Sequence, residues 1–293
     1  MARFDLGEAT AIVTGGSRGI GPHIAAALTE RGARVALVAR GHTELQATAR
    51  KLRSEGGPVL AITADVTSAD DRHAVIETVE GELGPVDVLV NNAGGDPQRE
   101  FHKLAEPEIE GVVDLNLTSA LILSRLVLPG MLARGRGHIV NVSSMAGRTS
   151  FPYTEAYAAA KDGLIGFTRV LRADYRGHGV SGSTLVLGPV RDAGVGARTA
   201  EEFGIKVPRG ISVSPEQVGR ATVRAIVKDK AELALLPGPG RLLRAVMDRF
   251  PGIGPAMNRM GGAETTMLTV AEYREREARL AEADRTAQAR PQL

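Results

Sequence analysis

Thr10-Ala-Ile-Val-Thr-Gly-Gly-Ser-Arg-Gly-Ile-Gly21 joins a short apolar run to a glycine-punctuated turn, and an apolar helical pattern follows. A continuous run of this kind suits a strand covered on both faces. Gly15, Gly19 and Gly21 let backbone N–H groups approach an anion at a helix N-terminus, where the helix dipole favours negative charge. Pro22 is tolerated in the first helical turn, because its missing N–H would have no intrahelical partner there. Strand, turn and helix in this order make a pyrophosphate loop of Gly15, Ser17, Arg18, Gly19, Ile20 and Gly21. A glycine-rich turn alone is also what a plain tight turn looks like, so the rest of the chain has to decide.

Further apolar runs follow at Arg34–Val38, Pro58–Thr63, Val86–Val90, His138–Ser143 and Ser183–Leu187, and again at Glu232–Leu236. Helical patterns fall between them at about 19–31, 42–54, 70–83, 105–133 and 154–177. This alternation predicts an α/β fold, a doubly wound Rossmann-type parallel sheet of about seven strands. Residues 191–213 have no clear period and read as a mobile substrate loop. Ser214-Pro-Glu-Gln217 reads as an N-cap, a proline at the first helical position and a capping glutamine. The expected organisation is one domain over residues 1–236, carrying the glycine turn, and a C-terminal extension over 237–293. Within the extension, Leu242, Leu243, Val246, Met247 and Phe250 form an apolar stripe on a helix at 241–250. Packing against the domain or a subunit, a lid over an apolar substrate, and contact with a membrane surface all fit that stripe. The charged tail at 270–290 reads as a solvated helix or a disordered segment, with Glu272–Arg276 and Glu275–Arg279 at i,i+4 spacing.

Bulk composition excludes several classes. The 293 residues are 43% hydrophobic and 24% charged, ordinary for a soluble globular chain. A net charge of +2, without a basic stripe, gives no support to nucleic-acid binding. The chain has no Cys, which removes disulfides and thiolate chemistry, and its six His have no metal-ligand spacing. The N-terminus lacks a signal-peptide pattern, and the apolar stretch Leu117–Leu128 is interrupted by Arg125. The expectation is a cytoplasmic protein without a membrane span or a metal.

A second constellation lies in the middle of the chain. Tyr157 and Lys161 are four apart on a helical pattern and share a face, and Ser144 directly follows the fifth apolar run. A phenol near pKa 10 exchanges protons poorly at neutral pH. A close ammonium would favour the phenolate, and lowering the pKa by about 2 to 3 units takes roughly 3 to 4 kcal/mol. Ser144, at the carboxyl end of a strand, is placed to hydrogen-bond a substrate oxygen. Ser143 reads as structural.

TGGSRGIG at Thr14–Gly21, NNAG at Asn91–Gly94, and Asn116, Ser144, Tyr157 and Lys161 in this order resemble the short-chain dehydrogenase/reductase family across about residues 8–236. The resemblance implies hydride transfer between nicotinamide C4 and a carbonyl or secondary alcohol. Tyr157 would give or take the proton, and Lys161 would hold the nicotinamide ribose. Asn116 would keep a water beside Lys161, although an ordinary helical asparagine is also open to it. The resemblance also implies cofactor contacts from Asn92, Ala93 and Gly94, and an adenine contact from Asp65-Val66. Asp65 could instead cap the following helix.

The end of the second strand decides the cofactor in that family, and here it reads Ala39-Arg40 with no carboxylate. Arg40 and Arg18 suit the 2′-phosphate of NADP(H) rather than the ribose hydroxyl of NAD(H). After the sixth run the chain departs from the family pattern. Leu187 replaces a proline and Asp192 stands where a threonine is expected, so the implied contacts stop at Gly188, Pro189 and Val190. Asp192 would point away from the pyrophosphate or pair with Arg191. The reading is a ketone reductase acting on a small molecule, as a homodimer or homotetramer joined through helices at 105–133 and 154–177. The alternatives are a sterol-type or other alcohol dehydrogenase and a non-catalytic NADP(H) sensor or scaffold.

Overall fold

The computed structural model describes residues 4–205, 207, 209–236, 246, 247, 249, 250 and 252–288. Seven parallel strands run β1 Thr10–Thr14, β2 Arg34–Ala39, β3 Val59–Thr63, β4 Val86–Asn91, β5 Gly137–Ser144, β6 Val180–Leu187 and β7 Glu232–Leu235. Their order, β3-β2-β1-β4-β5-β6-β7, reverses between β1 and β4. The crevice at that reversal, at the carboxyl ends of the strands, is where ligands of such sheets bind. β6 starts three residues before its apolar run. Gly182 is why: a Cβ there would lie 3.2 Å from Leu171 and Thr168, so a small residue serves close helix packing and hides from a hydrophobicity reading.

Helices cover both faces. α1 Gly21–Thr29, α2 His42–Ser54 and α9 Pro215–Val227 pack Ile24, Leu28, Leu45, Leu52, Val218 and Ile226 on one side. On the other, α3 Ala69–Glu82, α5 Ser119–Arg134 and α7 Glu155–Asp174 contribute Val75, Val79, Leu123, Val127, Met131 and Leu171. Both faces being apolar explains the unbroken hydrophobic runs of the strands. The expected cap of α9 forms, with Gln217 N–H on Ser214 Oγ at 3.3 Å and Ser214 N–H on Gln217 Oε1 at 2.7 Å.

Three local findings differ from the sequence reading. The helix read at 105–133 is two segments, α4 Glu106–Val113 and α5, joined by a π-helical turn at Asp114–Thr118. Together they span 29 residues, long and apolar enough by length and composition to cross a bilayer, which the stretch Leu117–Leu128 did not suggest. Residues 191–213 are not structureless. They hold α8 Val195–Glu202 and a 3₁₀ turn at Arg209–Ile211, over a base closed by Val213 N–H on Pro189 O at 2.9 Å and Arg191 N–H on Val213 O at 3.0 Å. Eight helical residues with three Ala or Gly are too short and too weakly apolar to show a period.

The third difference is the docking of the tail, which is helical as one of its two readings expected. α10 Ile253–Met260 and α11 Ala263–Gln288 belong to the folded body, and Met267, Val270 and Ala271 are buried. Asn258 donates to Thr149 O at 2.9 Å and to Ser150 O at 3.0 Å, on the short helix α6 Ala146–Thr149 and the residue after it. Glu275 accepts from the buried Arg99 at 2.8 Å, and Arg274 pairs with Glu202 of α8. Of the two spaced pairs only Glu275–Arg279 forms, at 2.9 Å. Most of the expected helix at 241–250 lies outside the described residues. Met247 is buried with Met145, Ile165 and Val186, and Phe250 is exposed.

Candidate active site

The carboxyl ends of β1 and β4 are locked together by side chains of the two glycine-containing motifs. Thr14 Oγ1 accepts the N–H groups of Asn92 and Ala93, each at 3.0 Å. Asn92 Nδ2 donates to Thr14 O at 2.9 Å and Gly15 O at 3.3 Å. Gly15 is left-handed at φ +67°, and a Cβ there would press on Asn92 at 2.9 Å. A Cβ on Gly21 would collide with Gly15 O, so this turn tolerates no side chain at its entrance to α1. Thr48 of α2 braces Ser17 by donating to its carbonyl at 2.9 Å, and Ile20 packs against Gly194. The loop is therefore a rigid turn that lets an anion approach its backbone.

At the end of β2, Arg40 is mostly exposed and lies 3.6 Å from Asp65. Asp65 does not cap α3; Ser68 does, accepting from Asp71 N–H at 3.3 Å. Asp65 instead accepts from Thr67 N–H and Oγ1 at 2.9 and 2.7 Å. Its pKa is lowered: burial opposes the ionised form, but the Thr67 bonds and Arg40 outweigh it. Val66 is buried, its carbonyl held by Arg72 at 2.8 Å.

β5 and α7 carry the second constellation. Ser143 Oγ donates to Lys161 O at 2.8 Å, fixing the helix against the strand. Lys161 is buried, its ammonium donating to Val142 O at 3.0 Å and lying 5.5 Å from the Tyr157 ring centre. Burial lowers its pKa to about 8. Tyr157 keeps some exposure through the cleft, but protein surrounds its hydroxyl, and that desolvation raises the pKa to about 12 against a hydrogen bond with Ser144. The expected lowering of Tyr157 by Lys161 is thus absent among protein groups alone, because burial penalises the phenolate more than its neighbours favour it. Ser144 Oγ also accepts from Ala146 N–H at 3.1 Å.

Asn116 sits in the π turn, almost fully buried. It donates to Val112 O and Gly95 O, both at 2.8 Å, and accepts from Gly95 N–H at 3.2 Å. The extra residue of a π turn re-aims its neighbours, and such turns recur at functional sites. Here it points Asn116 at the loop after β4. A Cβ on Gly94 would lie 2.6 Å from Asn116 Oδ1 and 3.1 Å from Lys161 Nζ, so Gly94, Asn116 and Lys161 meet at one point. Gly188, Pro189 and Val190 follow directly on β6, whose Leu187 is in register with Ser144 of β5. They bind β7 and the loop base, through Gly188 N–H on Leu235 O at 3.1 Å and a Val190–Val213 bridge. Asp192 is 81% exposed and 3.7 Å from Arg191, as one of its two expected dispositions required.

Several residues around the cleft escaped the sequence reading. Asp96, two residues past NNAG, has its pKa raised to about 7 by burial and by Glu155, against a bond from Gln98 N–H. It also acts electrostatically on Tyr157. Its signal was position alone, a carboxylate in the loop directly beyond a strand's carboxyl end. Buried Gln98 accepts from Thr199 of α8 at 2.6 Å, and Arg99 holds Glu108 and Glu275. Thr199 and Glu275 are 101 and 176 residues from their partners and leave no local trace.

The profile of the short chain dehydrogenase family matches residues 9–202. The ketoacyl reductase HetN of Nostoc sp. is 35% identical over 231 residues, 78% of this chain and 79% of that protein. The 3-oxoacyl-[acyl-carrier-protein] reductase FabG of Vibrio cholerae is 35% identical over 74% of this chain and 89% of its own length. Among solved structures, a variant of actinorhodin polyketide ketoreductase with NADPH aligns at a TM-score of 0.73 and 31% identity, covering 82% of this chain and 98% of that one. This chain belongs to the short chain dehydrogenase family. It is accordingly an oxidoreductase on a Rossmann-type sheet.

Proposed function

We propose that the protein is an NADPH-dependent ketone reductase, with Tyr157 as the proton donor. The observation that carries this reading is the convergence of Ser144, Tyr157 and Lys161 at the carboxyl ends of β5 and α7's first turns, beside the π-turn Asn116. The residues present fit a nicotinamide dinucleotide phosphate. The glycine turn would be crowded by any Cβ at Gly21, Gly94 sits against Lys161, and Arg18 and Arg40 are exposed cations beside the loop and β2. A bound reduced nicotinamide would supply the hydride. The kinship with ketoacyl reductases and with a ketoreductase bound to NADPH supports both cofactor and substrate class.

Ser144 orients the carbonyl by hydrogen bonding its oxygen. As that oxygen gains negative charge, Tyr157 transfers its hydroxyl proton to it, completing C=O plus hydride plus proton to CH–OH. The phenolate left behind faces the Lys161 ammonium, whose attraction offsets part of the burial penalty. Lys161 is in turn held by Val142 O and lies beside Asn116, which fixes its position through the cycle. A phenol pushed to about 12 is protonated at neutral pH, the form that reduction consumes. A homo-oligomer through α4, α5 and α7 is part of the same reading, supported by Val170 of α7, a large apolar side chain left 59% exposed.

NADPH oxidation followed by absorbance against a ketone panel, with NADH and Tyr157→Phe in parallel, tests this. Turnover should require NADPH and fall by about 10² to 10⁴ in Tyr157→Phe, the usual worth of a general acid, while NADPH binding stays near normal. Undiminished turnover in Tyr157→Phe would sink the mechanism.

A further inference from the structure

α8 bridges the two ends of the cleft. Its N-cap, Gly194, sits on the phosphate loop: a Cβ on Gly19 would lie 3.4 Å from Gly194 N, and one on Gly194 would lie 3.4 Å from the Ile20 side chain. Its middle is held from below by Thr199 on Gln98, and its end by Arg274 of α11 on Glu202. Tyr273 packs edge-on against Phe203, the next residue, with ring centres 5.2 Å apart. The helix is thus fixed on the phosphate loop rather than hung over it.

Its N-terminal turn has no side-chain cap and no acidic residue, unlike α3 and α9, which both carry serine caps. The Arg198 guanidinium, on that same helix, is exposed and makes no hydrogen bond or ion pair with any described residue. Neither does Arg18 across the seam. Partial burial, then Arg18 and Arg274, lower the proton affinity of the Arg198 guanidinium, so these like charges lie close enough to repel. Arg274 is neutralised by Glu202 and Glu277, whereas Arg18 and Arg198 have no such carboxylate among the described residues. Two guanidiniums on either side of the Gly19–Gly194 contact, without a counter-ion among the described residues, are arranged for a phosphate group.

We propose that Arg198 and Arg18 form a phosphate-binding pair across the seam between the glycine loop and α8, making α8 a clamp on the nucleotide. This rests on the NADP(H) reading and adds a ligand from a segment that otherwise serves the substrate. The phosphate can come from the 2′-phosphate or from the pyrophosphate, and the two differ in which nucleotides carry them.

Dissociation constants of NADPH and NADH, measured by fluorescence titration for wild type, Arg198→Ala and Arg198→Lys, separate the possibilities. Arg198→Ala should raise the NADPH constant at least about tenfold, with Arg198→Lys closer to wild type and the melting temperature unchanged. Weakening confined to NADPH assigns the pair to the 2′-phosphate, and equal weakening of NADH assigns it to the pyrophosphate; both uphold the clamp. An NADPH constant in Arg198→Ala within about twofold of wild type overturns the clamp while leaving the cofactor reading intact. Wild-type protein that binds neither nucleotide overturns both.

Discussion

Lys161 shows how burial holds a single residue in a costly state. Its pKa near 8, below the ordinary 10.5, means the unfolded chain binds more protons than the native one between those values. Stability contributed at this position therefore rises with pH across that window, by about 2 kcal/mol between pH 8 and 10. Above pH 10 the raised Tyr157 works the other way, because the unfolded phenol ionises first. Urea denaturation at pH 8 and 10 should show the rise in wild type and its loss in Lys161→Met, which should also be nearly inactive. Equal pH slopes in the two proteins would contradict the burial argument. Tyr157, Lys161 and Ser144 were legible in the sequence because spacing and residue type suffice to name them. Their protonation states were not, since these depend on which distant atoms displace water.

At the scale of elements, the π turn matters most. It turns Asn116 toward Gly95 and brings it against Gly94 and Lys161, joining α4–α5, the loop after β4 and α7. The apolar pattern of 105–133 announced a helix but could not announce a one-residue slip in its hydrogen bonding, because a π turn shifts the periodicity by less than that pattern's own irregularity. Gly94→Ala probes the junction. The new methyl must displace Asn116 or Lys161, so kcat should fall more than about tenfold for an overpacking cost of only about 1–3 kcal/mol, seen as a modest drop in melting temperature. Unaltered kcat would mean that the three residues can separate freely. α8 is a second element the sequence did not declare, being short, rich in Ala and Gly, and positioned by Gln98 and Glu202–Arg274 rather than by its own propensity.

Across the whole molecule, the C-terminal helices connect the three rims of the cleft. α10 is tied to residues 149 and 150, α11 to Phe203 and Glu202, and Arg99 ties the loop after β4 to both α4 and α11. The family profile ends at residue 202, so the kinship does not speak for these helices. Removing one member of a buried ion pair strands its partners. Arg99→Ala should cost about 2–3 kcal/mol, below the range for fully buried pairs because Glu108 is 41% exposed. It should also make α11 a preferred site of trypsin cleavage. A wild-type digestion pattern in Arg99→Ala would show that apolar contacts at Met267, Val270 and Ala271 hold the extension without it.

By itself the sequence determined the seven-stranded doubly wound sheet, the family, and the positions of the glycine turn and the Ser144–Tyr157–Lys161 group. Those properties follow from local periodicity and fixed spacing, which read the same in any chain of this kind. The tertiary structure decided the rest: the docking of the tail, the π turn at Asn116, the burial of Arg99 between Glu108 and Glu275, and the approach of Arg198 to Arg18. Each depends on groups distant in sequence whose meeting is set by how helices pack on the sheet, and no local window carries that information.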